Sequence, residues 1–234
     1  MTLRTILNDL LDLFFPRLCL LCHTPLLREE KHLCLSCFCD LPRTGYHLRT
    51  DNPARKLFAG IPALREVGAF LFFEREGKVQ QLVHTFKYYG NKQLAYELGR
   101  MAALEIYGRD GFYQTTDLLI PVPLHRKKER KRGYNQSEWI AKGMASVLNK
   151  PVCRTALERV TNTPTQTHKT IYERQLNMEN QFSLAEPKLL EGKHLLLVDD
   201  VITTGATCLA CLDRLASVPG VRLSVFSLTI VRQY

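Results

Sequence analysis

The stretch Lys193-His194-Leu195-Leu196-Leu197-Val198-Asp199-Asp200-Val201-Ile202-Thr203-Thr204-Gly205-Ala206-Thr207 decides how this chain is read. Its first half is an unbroken apolar run, the pattern of a strand buried on both faces of a parallel sheet. The strand is expected over His194 to Val198, ending at the acidic pair Asp199-Asp200. A loop of Thr, Gly and Ala then opens a helix from about Ala206 to Ala216. Ligands of open α/β sheets bind beyond the carboxyl ends of the strands. Backbone N–H groups of Thr204, Gly205 and Ala206 at the helix start form an anion site. Gly205 lets the backbone approach closely, and the hydroxyls of Thr203, Thr204 and Thr207 can donate to further phosphate oxygens. A carboxylate only accepts and repels a phosphate that faces it. Asp199 and Asp200 therefore fit one sugar away, on the two ribose hydroxyls. A solvated acidic pair before a capped helix is the plain alternative, and the whole string after a buried strand speaks against it.

The flanking sequence repeats the alternation of strand and helix. Val67 to Phe73, Asp117 to Val122 and Val221 to Ile230 read as strands. Val79 to Phe86 reads as a helix ending near Gly90. Leu94, Leu98, Met101, Ala102 and Ile106 mark one face of a longer helix, and Trp139, Ile140, Met144, Val147 and Leu148 mark another. Trp139 is expected to fill core. This order predicts an α/β fold with a parallel sheet and crossover helices. There is no internal repeat and no low-complexity tract.

Five of the eight cysteines lie between positions 19 and 39: Cys19-x2-Cys22, Cys34-x2-Cys37, then Cys39. Two such knuckles suit tetrahedral thiolate coordination of a structural zinc by Cys19, Cys22, Cys34 and Cys37. Cys39 can stand in for Cys37, and two disulfides are the competing arrangement. So small a segment buries little apolar surface, so a metal would supply its folding free energy. Cys208-x2-Cys211 falls in a helical apolar pattern and reads as core, as does Cys153. The expected organisation is an N-terminal helix and zinc-ribbon-like module over 1–43, a linker over 44–62 and the α/β domain over 63–234.

The 234 residues carry a net charge of +9, which favours an anionic partner. No run approaches the roughly 20 apolar residues of a membrane span. Thr2 to Phe15 reads as an amphipathic helix, without the cleavage site of a signal peptide, and a cytoplasmic protein is expected. Arg126-Lys127-Lys128-Glu129-Arg130-Lys131-Arg132 packs six cations into seven residues. A solvated loop is the ordinary reading of such a run. It can also contact a nucleic-acid backbone, where each cation releases counterions. Tyr88, Tyr89 and Tyr134 can stack on bases, or serve as core and rim.

Val198 to Thr207 resembles the phosphoribosyl-pyrophosphate signature of type I phosphoribosyltransferases. The resemblance implies a Rossmann-like parallel sheet, ribose hydroxyls on the acidic pair, the 5′-phosphate on the loop and magnesium between ribose and pyrophosphate. Further motifs narrow it: Phe86-Lys87-Tyr88-Tyr89-Gly90-Asn91, Pro121-Val122-Pro123, Arg132-Gly133-Tyr134-Asn135-Gln136, Thr163-Pro164-Thr165-Gln166-Thr167, and Arg174, Asn177 and Phe182. With the four-Cys module, these are similar to the ComF (competence protein F, GntX-like) family from Cys19 to Ile230. His125-Arg126 departs from the family, which often has Pro after the His. The resemblance implies a phosphoribosyltransferase that releases pyrophosphate, with Lys87 and Arg126 or Arg130 neutralising the leaving group from a mobile loop. It also implies a role in DNA uptake and natural transformation, with peripheral contact to that machinery. The competing expectation is a non-enzymatic single-stranded DNA-binding factor. It would use the phosphoribosyl site as a sensor and Arg126, Lys127, Lys128, Arg130, Lys131 and Arg132 for DNA. The acceptor is not legible in any segment.

Overall fold

The structure is a computed structural model that describes residues 15–107, 115–160 and 181–232. The helix expected from Thr2 to Phe15 falls, Phe15 aside, outside the described residues. So do the Thr163–Thr167 motif, Arg174 and Asn177.

Four parallel strands form the central sheet in the order β1-β6-β5-β2. They are β1 (Leu64–Phe73), β2 (Leu118–Pro121), β5 (His194–Ile202) and β6 (Arg222–Val231). A two-stranded antiparallel ribbon, β3 (Leu157–Arg159) and β4 (Phe182–Leu184), stands apart and has no counterpart in the sequence reading. The helices are α1 (Leu35–Cys39), α2 (Lys78–Tyr88), α3 (Lys92–Ile106), α4 (Arg126–Arg132), α5 (Gln136–Leu148) and α6 (Ala206–Ala216). Among the described residues no helix is long and apolar enough to cross a membrane.

The sheet is covered on both faces, which is why β5 carries no polar residue between His194 and Asp199. Leu196 and Val198 join the core formed with α2, α3 and α5. Leu195 and Leu197 join the opposite core, with Cys208, Cys211, Leu212 and Leu215 of α6. Both cysteines of α6 are fully buried, as their helical spacing predicts. Helices α3 and α5 meet through glycine. A Cβ on Gly143 would overlap the Tyr96 carbonyl and come within 2.9 Å of the Arg100 nitrogen, and Gly99 presses on the backbone of Ile140 in the same way.

Two expectations are corrected. First, β5 does not stop at Val198. Its parallel pairing with β6 continues through Asp199↔Ser227, Val201↔Thr229 and Ile202↔Ile230, so the acidic pair lies inside the strand. Second, Trp139 packs against the core but is only partly buried. It sits half-buried at the rim, edge-on to Tyr134, with the ammonium groups of Lys92 and Lys142 over its ring at 4.8 and 5.0 Å. The two lysines cover the ring where the core does not.

Residues 44–62 run through two 3-10 turns, Tyr46–Leu48 and Pro53–Phe58. Ala54 and Phe58 are buried in the core around α6. The buried Asn52 amide donates to the carbonyls of Tyr46, Arg49 and Val67 and pins this segment to β1.

Candidate functional site

The site grows from the end of β5. Because side chains alternate along a strand, Asp199 and Asp200 point to opposite sides. Asp199 is buried and accepts from the Ser137 hydroxyl at 3.2 Å, the Asp200 amide at 2.8 Å and the Cys208 thiol at 3.4 Å. Burial, then the Asp200 charge, pushes its carboxyl up to about 6. Asp200 forms an ion pair with the Lys87 ammonium at 3.0 Å. The Thr229 hydroxyl holds the Asp200 carbonyl at 3.0 Å.

After Ile202, Thr203 and Thr204 are exposed, and Gly205 caps α6 with φ of 77°. That left-handed conformation favours glycine. Packing demands it as well: a Cβ there would meet Leu57 Cβ and the Phe58 ring at 3.3 Å. The first-turn amides of α6 have no intrahelical acceptors and face the space beyond the strand. The turn can therefore bind an anion through backbone donors, with the Thr203 and Thr204 hydroxyls at its rim.

Lys87 reaches this site because α2 ends beside it. The Tyr134 hydroxyl donates to the Phe86 carbonyl and ties the end of α2 to the segment before α5. Tyr134 is thereby buried and closed to base stacking, whereas Tyr88 and Tyr89 are exposed. Asn135 joins both neighbours. Its carbonyl caps α5 at the Ser137 amide, 3.1 Å away, and its amide donates to the Val122 carbonyl at 3.0 Å. Ser137 is thus fixed against Asp199 by a cap anchored to β2. No sequence pattern singled it out.

The basic run is a helix, not a loop. His125 caps α4 through its ring, which accepts from the Lys127 amide at 3.2 Å, and Gly133 ends the helix in the left-handed conformation with φ of 81°. A cap and a terminating glycine eight positions apart enclose seven residues, about two turns of helix. None of its residues is buried. Arg126 pairs with Glu158, and Arg132 donates to the Gln136 side-chain oxygen Oε1 at 2.9 Å and lies over the Tyr88 ring. Lys127, Lys128, Arg130 and Lys131 are exposed.

In the N-terminal module, Cys19, Cys22, Cys34 and Cys37 bring their sulfurs within 4.8 Å of one another, and Cys39 is not among them. The Cys22 and Cys34 sulfurs are 3.6 Å apart. Tetrahedral coordination at about 2.3 Å per thiolate places sulfurs about 3.8 Å apart. The group can therefore hold a metal such as zinc. The Thr24 hydroxyl and amide lower the Cys22 thiol to about 6, while burial and the neighbouring sulfurs push Cys37 up to about 12. Four thiolates cannot share this space without a cation.

A buried parallel strand, an acidic pair, a glycine turn and an open helix start define a domain of the phosphoribosyl transferase class. The sequence profile of the phosphoribosyl transferase domain family matches residues 135–228, which span β5, the turn and α6. Along most of its length the chain is 30% identical to DNA utilization protein YhgH of Escherichia coli O6:H1, over 211 residues that cover 82% of this chain and 87% of that protein. Competence protein F of Haemophilus influenzae is 33% identical over 129 residues, 54% of this chain and 56% of its own. Competence protein ComFC of Bacillus subtilis is 30% identical over 115 residues, 49% of this chain and 44% of its own. The chain belongs to the ComF family that these proteins represent.

Proposed function

We propose that the chain binds phosphoribosyl pyrophosphate at the β5–α6 turn and acts as a phosphoribosyltransferase. The observation that supports this best is the ion pair of Asp200 with Lys87 beside an open glycine turn. It sets a cation, two carboxylates and a backbone anion site at the end of one strand. In this reading the turn from Thr203 to Thr207 takes the 5′-phosphate, and Asp199 and Asp200 accept from the ribose hydroxyls. The carboxylates are hard oxygen donors that suit a magnesium ion entering with the ligand, which supplies charge neutralisation at the leaving group. Lys87 leaves Asp200 for the diphosphate, and Arg126 or Arg130 adds a cation from α4. Positioning and electrostatics carry the reaction, with no nucleophilic side chain. Zinc on the four cysteines is structural, since four thiolates leave no open coordination position. Unpaired thiols at this density suit a reducing compartment, so the cytoplasm is the assigned place of action.

Calorimetry with magnesium and phosphoribosyl pyrophosphate tests the assignment. Asp199→Asn with Asp200→Asn should abolish binding; undiminished affinity rejects it. Pyrophosphate release, with and without candidate acceptors, separates enzyme from sensor.

A second reading has its own support. Helix α4 presents a cationic surface, and relatives are named for DNA utilization and competence. As a single-stranded DNA-binding factor in DNA uptake, the protein would lose affinity with rising salt. Neutralising Arg126, Lys127, Lys128, Arg130, Lys131 and Arg132 would flatten that dependence.

A further inference from the structure

We infer that the cavity between α4, the start of α5 and the β3–β4 ribbon is a binding site for a small organic anion, a carboxylate or a phosphate monoester, held by Arg159. The cavity measures about 390 Å³. Pro123, Leu124, Leu157 and Ala185 give it apolar walls, and Asn135 and Thr155 add neutral polar groups. Apolar walls with a few convergent polar groups are the usual composition of a small-molecule site.

The charges lining it are matched except one. Glu158 pairs with Arg126. Glu129 pairs with Arg154 at 3.4 Å. Glu138 pairs with Lys142 at 2.7 Å and with Arg154 at 3.6 Å. Arg159 has no carboxylate within ion-pair distance among the described residues. Its Nε is buried with no hydrogen-bond partner, and its guanidinium lies 5.4 Å from the centre of the Phe182 ring. A guanidinium stays charged throughout the accessible pH range, and a buried donor left unmade is costly. Arg159 is felt by the cations beside it. Burial and then Arg159 hold both His125 and Lys128 below their ordinary values. An anion resolves the unmatched charge and the orphan donor together, through the geometry guanidinium groups offer to carboxylate and phosphate.

The cavity adjoins the candidate ribose site through one helical turn. Asn135 and Glu138 line it, while Ser137 between them contacts Asp199. A ligand anchored on Arg159 would therefore approach the sugar from the β2 side. This role as acceptor rests on the phosphoribosyl reading; the anion site does not.

The test titrates the full chain with benzoate and with phenyl phosphate, each with and without ribose 5-phosphate to fill the β5–α6 turn. Saturable binding that persists with ribose 5-phosphate present and weakens at least tenfold in Arg159→Gln supports the site. The probe that binds identifies the anionic group. Absence of saturable binding to the wild type, or equal affinity in the variant, overturns it. If Arg159→Gln fails to fold, phenylglyoxal labelling of wild-type Arg159 decides. Protection by the bound probe is expected, and equal labelling with and without it refutes the assignment. Phosphoribosyl pyrophosphate affinity is measured on the same wild-type protein. Its absence beside Arg159-dependent benzoate binding would reject the phosphoribosyl reading and leave the anion site standing.

Discussion

The four-Cys module and the sheet around β5 are held together by different physics. The sheet rests on apolar burial from both sides, with Leu195, Leu196, Leu197 and Val198 each 1% exposed or less. The module has little of this. It contributes Cys19, Leu33, Cys37 and Leu41 to the core, but leaves Phe15, Leu18, Leu27 and Leu35 exposed. Two of its four buried members are the proposed metal ligands themselves. Beside this apolar contact, polar links join the regions: Lys31 to the buried Glu97 of α3, Lys78 to Asp40, and the Gln81 amide to the Leu20 carbonyl at 2.8 Å. An exposed pair such as Lys78–Asp40 contributes little. One region thus carries its stability in apolar burial, while the other has four cysteines placed where a metal could supply it.

Metal removal should break this comparison most visibly. Structural zinc sites contribute about 10–16 kcal/mol in small peptides. A chelator, or Cys37→Ser, should therefore unfold residues 19–39 outright. Amide exchange should show the Cys19 and Phe38 amides, which now donate to the carbonyls of Thr24 and Cys34, losing protection. The amides of β5 and β6 should keep theirs. Simultaneous loss in β5 would mean that the module and the sheet are one cooperative unit.

How much was legible follows the same division. The β5 run, the glycine turn and the two Cys-x2-Cys knuckles are local patterns, and each is where its sequence indicated. The reach of β5 to Ile202 was not legible, because pairing of Asp199 to Ile202 depends on Ser227 to Ile230 in β6. Without it, Asp199 and Asp200 read as the first residues past the strand; the pairing keeps both inside it, Asp199 bonded to Ser137 and Asp200 paired with Lys87. Ser137 and Arg159 come from elements distant in sequence, so only the tertiary fold shows what they face. The basic run is solvent-exposed, as its charge density indicates, and differs from the ordinary reading only in being helical. Its helical form follows from the cap at His125 and the stop at Gly133.

A second experiment strikes the sheet domain alone. Gly143→Ala inserts a methyl between α5 and the Tyr96 carbonyl, where backbone, not a flexible side chain, stands in the way. The helices must part. Overpacking of this kind costs about 3 kcal/mol, a melting shift of roughly 6–12 °C for a domain of this size. The module should still bind its metal with unchanged stoichiometry. A variant as stable as the wild type would show that α3 and α5 can slide past the added carbon.

The smallest effect is the most informative about the site. Asp199 carries a folded value of about 6 against 3.8 in the ordinary state, raised by burial and then by Asp200. The folded protein therefore holds this proton more tightly than the unfolded chain. Its stabilising contribution is complete below about pH 4 and is lost as pH rises through about 6. Above that, the ionised carboxylate strains the site until a ligand supplies donors or a cation. Asp199→Asn removes the charge and keeps an acceptor for the Ser137 hydroxyl and the Asp200 amide. It should leave stability nearly unchanged at about pH 3.5 and raise it by about 2.7 kcal/mol at pH 8, from a shift of about two units at 1.36 kcal/mol each. Urea midpoints at the two pH values read this directly. The same substitution should weaken phosphoribosyl pyrophosphate binding. A gain in stability with a loss in binding identifies Asp199 as a charge kept for its ligand. An equal midpoint shift at both pH values would mean that Asp199 is a structural acceptor whose charge the fold does not feel.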